Sequence, residues 1–452
     1  MHLLIKVIIL IHICVFITSC EHSSDSGESS FESVIVEYNF DEQKYELVSK
    51  KLYSLDKPRD LNTHIAKFFY KTSSNVDLDY ESTVKLNLIK TSDDVYLAKD
   101  LSSLKSISSY KIYEDYYDLH NKLDILNYSV WPKKVVVDGV DGEIKSNNAF
   151  HYPIRTSTFY LPFDPFDVPA SLNPGIVAHE ENHGLFYKQI INGNISKELY
   201  IANSELLKIN YATTNRCVRN LTCGNFIKIY ENTDEFKEMV FQEGAQASVI
   251  KNYKFEMINT MEYNHVLLRA LDEGLADYSG FVFSKAPNFL YVTLDYEAVR
   301  NGFDRVVGSS LNTPLPSVNE LQAMIDQIKR KPNVGISKLS TRLRALAGGN
   351  SSLMALSYKM AGQVSSLLNI LSQNIDYSEM PASLTKEEYF FKLAVTSLEN
   401  MKKIVFNNYR TKKMSFDDFF SAILNEKYVN QDTCSVLSTN ISDSLTFKGC
   451  SK

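Results

Sequence analysis

The chain has 452 residues, with 48 Lys plus Arg against 54 Asp plus Glu and a formal net charge of −6. That mild acidity, with no basic stripe along the sequence, argues against nucleic acid as a partner. The length suffices for two or three packed units of ordinary domain size, and abundant Tyr and Phe beside modest Gly and Pro are the composition of a globular protein.

The first twenty residues, MHLLIKVIILIHICVFITSC, are an apolar run with one Lys6, ending in Ile17-Thr18-Ser19-Cys20. The run is shorter than the ~20 apolar residues that span a bilayer. It resembles a bacterial lipoprotein signal peptide over 1–19, which implies cleavage before Cys20 and lipidation of that cysteine. A transmembrane anchor is the alternative. Residues 20–33, rich in Ser, Glu and Asp, have the composition of a flexible tether. The expectation is an exported protein lipid-anchored to a bacterial membrane. Glu21 is not the Asp that can retain a lipoprotein at an inner membrane, which favours the outer one.

From Val34 to Lys90 short apolar and polar stretches alternate (SVIVEYNF, YELVSKKLYSL, STVKLNLIK), predicting strands with some helix. Tyr110 to Leu126 places apolar residues at helical spacing. VVVDGVDGEI, with Asp-Gly turn signals, and AFHYPIRTSTFYLPF are strand-like. From Pro174 onward helical patterns dominate. The reading is an α+β fold, a β-rich N-terminal domain over 34–175 and a helical C-terminal domain over 176–452, with a cleft where they meet. Besides Cys14 and Cys20, the cysteines fall into two local pairs, Cys217-Cys223 and Cys434-Cys450. In an oxidising compartment these are most simply disulfides; a four-cysteine zinc site is the rival, but neither spacing suits a zinc knuckle.

The central signal is Pro174-Gly-Ile-Val-Ala-His179-Glu180-Glu-Asn-His183. Asn173 before Pro174 is a helix start. Ile176, His179, His183, Phe186 and Ile190 then share one helical face, so two imidazoles one turn apart can reach one zinc ion. Glu180 beside them suits a general base. A five-letter motif also arises by chance, so its context decides. Catalytic zinc sites usually take three protein ligands. Asp272-Glu273-Gly-Leu-Ala-Asp277 supplies the third on a helical stretch: Glu273 as ligand, and Asp277 one turn on to accept an imidazole N–H. Glu243 lacks an acid four residues later, and His265 reads as a helix-face residue.

These residues resemble the thermolysin-like gluzincins, zinc peptidases with a His-Glu-x-x-His helix and a downstream Glu-x-x-x-Asp helix. Asn147-Asn148-Ala149-Phe150 is similar to the family's cleft-lining strand, and YEDYYDLHNKL to a helix preceding it. The resemblance covers roughly Tyr110 to Tyr187 and Leu268 to Phe281. It implies that Asn148 and Ala149 bind substrate backbone, and that a later His stabilises the oxyanion. No histidine follows His265; Tyr358, in Tyr358-Lys-Met-Ala-Gly362, stands in the similar place and is the candidate electrophile, with a core tyrosine as the other reading. The chain departs from the pattern elsewhere. An insertion of about 191–262 separates His183 from Glu273. Gly175 replaces an acid the family uses for calcium, which puts calcium in doubt. The front is too short for the family's large propeptide.

The expectation is therefore a membrane-anchored zinc endopeptidase acting on protein or peptide substrates. The alternatives are a zinc-binding but catalytically weak lipoprotein that binds peptide or envelope partners in the cleft, and an envelope protein in which the motif is accidental.

Overall fold

The computed structural model describes residues 31–55, 59–141, 148–152, 156–163, 168–191, 250–293, 306–308, 314–330, 351–409, 411–424, 428–442 and 450. Among these, strands occupy the N-terminal part and long helices the remainder, a mixed α and β architecture consistent with α+β. The signal segment, Cys20, Glu243 and the Cys217-Cys223 pair lie outside the described residues.

Strands β1 (Phe31–Asn39) and β2 (Lys44–Leu52) form an antiparallel ribbon that opens with Phe31 opposite Leu52. Phe31 is 6% exposed, so the apolar end of the expected tether is built into the first strand. After β3 (Ala66–Tyr70) come β4 (Leu88–Lys90) and β5 (Val95–Ala98), which complete a sheet of order β2-β1-β5-β4. The second sheet joins β3 to β6 (Lys133–Val137), β7 (Ala149–Tyr152) and β8 (Ser157–Tyr160) in the order β3-β6-β8-β7. Its inner strands, β6 and β8, run parallel and are almost wholly buried, β6 through three valines and β8 through Phe159 and Tyr160, as a sheet covered on both faces requires. β7 pairs antiparallel with β8 and is the edge.

Helix α1 spans Leu101–Lys122, starting well before the Tyr110 expected from periodicity and stopping short of Leu126. Asp100 caps it by accepting the Ser103 N–H, and its first turns are serine-rich, with Leu101, Leu104 and Ile107 between the serines. Ser103, Ser106, Ser108 and Ser109 are nonetheless buried, and Ser108 Oγ accepts the Val36 N–H at 2.9 Å. Small polar residues thus let the helix lie close on β1, and most of the buried positions of its first turns are serines.

Helix α2 (Pro174–Phe186) begins as expected, with Asn173 Oδ1 accepting the Ile176 N–H at 3.3 Å. The same side chain donates to Phe289 O (2.8 Å) and Thr293 Oγ1 (2.7 Å). The cap therefore also anchors the short helix α4 (Phe289–Thr293), which follows the 35-residue α3 (Ile250–Ser284). The end of the expected insertion, from residue 250, belongs to α3. Helices α5 (Val318–Arg330), α6 (Ser351–Asn374), α7 (Lys386–Asn408), α8 (Phe416–Ile423) and α9 (Gln431–Asn440) complete the described order. Cys434 in α9 is disulfide-bonded to Cys450. Among the described residues, no helix is long and apolar enough to cross a membrane.

Among the described residues two large hydrophobic cores result, one under the sheets and one among the helices, with a small third cluster around Phe69 and Phe159. Ile176 and Val177 of α2 belong to the first; Leu185 and Phe186, at its other end, belong to the second. The motif helix thus spans the seam between them. It approaches α3 closely because both helices carry glycine where Phe289 wedges between. A Cβ on Gly175 would lie 2.4 Å from that ring, and one on Gly280 only 2.3 Å from it and 2.7 Å from Gly175 O. Gly175 is accordingly a packing position. Gly280→Ala is expected to lower stability by about 1–3 kcal/mol through overpacking, read as an earlier midpoint in urea denaturation.

Candidate metal centre

Turning α2 toward α3 brings three donor groups together. His179 Nε2 and His183 Nε2 are 3.1 Å apart, and Glu273 Oε2 lies 3.7 Å from the first and 3.8 Å from the second. A tetrahedral ion with bonds of about 2.0–2.1 Å needs donor separations of roughly 3.3–3.4 Å. The triangle has that size, and two imidazoles with one carboxylate are a donor set suited to zinc. Among the described residues this is the group of His, Cys, Asp and Glu side chains that could hold a metal.

Each imidazole is aimed by a carboxylate on α3. His179 Nδ1 lies 3.0 Å from Asp277 Oδ1, as the sequence spacing suggests, and His183 Nδ1 lies 3.0 Å from Asp272 Oδ1. The second partnership was not read from the sequence, although Asp272 directly precedes Glu273. Such contacts fix the ring orientation and tautomer a metal ligand needs. Burial pushes His179 down to about 4, against the pull of Asp277 and Glu273. Burial also works downward on His183, but the Asp272 and Glu273 carboxylates outweigh it and hold this ring up at about 10. The two rings stand 3.1 Å apart through their Nε2 atoms, close to the separation two ligands of one ion require.

Glu180 is 8% exposed on the cleft side of α2. Burial raises its carboxyl to about 7, with Glu273 adding to the rise, while His183 and the His151 backbone N–H restrain it. That N–H donates to Glu180 Oε2 at 3.0 Å. Asn148 O accepts from Leu161 N at 2.9 Å, so strand alternation turns the main-chain groups of Ala149 and His151 to the open edge of β7. Asn148 Oδ1 accepts the Ala149 N–H at 3.0 Å. Both residues line the cleft, a cavity of about 420 Å³.

Behind the motif, Glu181 is buried in a polar network. Its Oε1 accepts from Tyr113 OH (2.8 Å) and Thr158 Oγ1 (2.7 Å), and Oε2 lies 2.9 Å from Lys133 Nζ. These partners come from α1, β8 and β6, so one carboxylate ties the motif helix to three other elements. Thr158 Oγ1 also pairs with His151 Nδ1 at 2.9 Å. The His151 ring packs against Gly184, where a Cβ would stand 2.7 Å from its Cε1 and Nε2. Neither His151 nor the Glu181 network was anticipated; the glycine directly after His183 was the available sign of an approaching ring.

Tyr358 lines the same cavity, half-buried, and accepts from Arg269 Nη2 at 3.3 Å, so it is not a core tyrosine. His265 lines the cavity too but is outside the donor triangle. No protein-family model matches the sequence, and no curated protein matches it.

Two outcomes follow from these charges. Loading zinc onto metal-free protein near pH 7 should release at least one proton, since His183 must give up its own to ligate; titration calorimetry in buffers of different ionisation enthalpy measures it. For Glu181, burial acts upward, but Lys133, His151 and Thr158 together hold its carboxyl below the ordinary range. A folded pKa below the unfolded one stabilises fully above the unfolded value of about 4.3 and ceases to as pH falls through the folded value. The stability gap between wild type and Glu181→Gln should therefore be widest at neutral pH and close below pH ~4, as read by urea unfolding across that range.

Proposed function

We propose that this chain is a zinc-dependent endopeptidase of the cell envelope, related to the thermolysin-like gluzincins and anchored to a bacterial membrane through lipidated Cys20. The observation that carries the reading is the conjunction at the seam: two helical imidazoles, each oriented by its own carboxylate, a third donor on the facing helix, and a buried glutamate beside them at an open strand edge. A site that merely held a metal would have no use for that glutamate.

His179, His183 and Glu273 would hold the ion, and bound zinc supplies a Lewis acid that polarises a peptide carbonyl and acidifies water. The chain's own groups supply the rest. Glu180 takes a proton from the attacking water, whose oxygen bonds to the scissile carbonyl carbon. As the C–N bond breaks, Glu180 returns that proton to the leaving amine. The His151 N–H fixes the Glu180 carboxylate during both transfers. The outward carbonyl of Ala149, with the Asn148 side chain beside it, receives the substrate as an added strand on β7. Tyr358 stands in the cavity wall as the hydroxyl donor for the developing oxyanion.

The test is hydrolysis of a diverse quenched-peptide set by the fragment from Phe31 onward, with Glu180→Gln alongside. Glu180→Gln should retain zinc and lose about 10²–10⁴-fold in rate, whereas His179→Ala should lose the metal itself. Zinc-loaded wild type that binds peptides without cleaving any would favour a peptide-binding lipoprotein.

A further inference from the structure

Helix α3 presents a second charged group to the cleft. Glu273, Arg269 and His265 recur at steps of four, and all three line the cavity. Arg269 is the single Lys or Arg among the described lining residues. Its side chain is 32% exposed, so part of it is open to the cavity.

The partners of this guanidinium are few and distant. Nη2 donates to Tyr358 OH at 3.3 Å, with the guanidinium carbon 5.6 Å from that ring's centre. Nη2 also lies 3.8 Å from Glu273 Oε1, beyond hydrogen-bond length, and Nε is buried with no hydrogen-bond partner. A guanidinium offers five N–H donors and keeps its charge. An arginine serving only to neutralise Glu273 would close on it in a two-pronged pair; this one stands off and borders the cavity. The remaining lining groups include three carboxylates, Glu180, Asp272 and Glu273, which alone would repel an anionic ligand. Fixed positive charge beside them makes one end of the cavity receptive to an anion, and the planar fork matches a carboxylate.

We infer that Arg269 receives a carboxylate of the bound peptide, making peptides that present one next to the Glu273 end the preferred ligands of the cleft. The nature of the ligand rests on the peptidase reading above. The carboxylate has two sources, a free C-terminus or an acidic side chain.

Binding separates these without turnover. Zinc-loaded protein from Phe31 onward carrying Glu180→Gln is titrated calorimetrically with three versions of one short peptide: a free C-terminus, a C-terminal amide, and an amide with one internal Gln replaced by Glu. One of the two carboxylate-bearing peptides should bind at least about tenfold more tightly than the plain amide, as a charge-assisted pair gives; which one identifies the source. Adding Arg269→Gln should erase that preference while leaving zinc content unchanged, and Arg269→Lys should restore part of it. Equal affinity for all three peptides overturns the assignment. So does a preference that survives Arg269→Gln, or loss of zinc in that variant, since Arg269 then serves the metal ligands. Failure of the wild type to cleave peptides would bear on the proposed activity alone, because none of these readouts requires cleavage.

Discussion

The distance between α2 and α3 governs everything at the centre of this molecule. Phe289 occupies the space two side chains would fill, and only glycine at 175 and 280 leaves room for it. With the helices at that separation, Asp277 and Asp272 meet the inner nitrogens of the two histidines, and Glu273 meets the outer ones. A larger residue at either glycine would have to part the helices. The carboxylate–imidazole contacts, each a few tenths of an ångström from failing, would go with them. Packing and chemistry are one constraint here, because the same crossing buries the cores and assembles the donors.

The second theme is the handling of buried charge. The motif contributes two adjacent glutamates that face opposite ways. Glu180 faces the cavity with a single backbone N–H for company, and burial keeps it protonatable. Glu181 turns inward and is surrounded by Lys133, Tyr113 and Thr158, which keep it ionised. Environment alone divides the labour between a group able to exchange protons and one that cannot. The inward group also fastens β6, β8 and α1 to the back of the motif helix, so the cavity's floor is tied together beneath the donors.

Sequence was most informative where chemistry and helical period coincide. His179, His183, Glu273 and Asp277 could be read because ligand spacing on helices is a matter of steps of four, and the fold brings all four together. Asn173 was readable as a cap for a similarly local reason. Contacts made across elements were not legible. Asp272 and Asp277 look alike in sequence until the crossing decides which imidazole each meets. His151 reaches the site through a strand edge, and Arg269 through a helix face shared with Glu273. The first half of α1 was hidden because serines fill most of its buried positions while Leu101 points to solvent. Phe31 read as tether because its neighbours are polar, while its partner Leu52 lies far along the chain.

The open edge of β7 has one further consequence. An exposed strand edge is a template on which a second copy of a chain can add itself, the usual beginning of aggregation. Here the edge is four residues long, and the outward amide of His151 is already engaged by Glu180. Little remains for a sister molecule to pair with beyond the groups around Ala149. The glutamate at the cavity thereby also guards the strand, so an edge open to the cavity resists accreting its own kind.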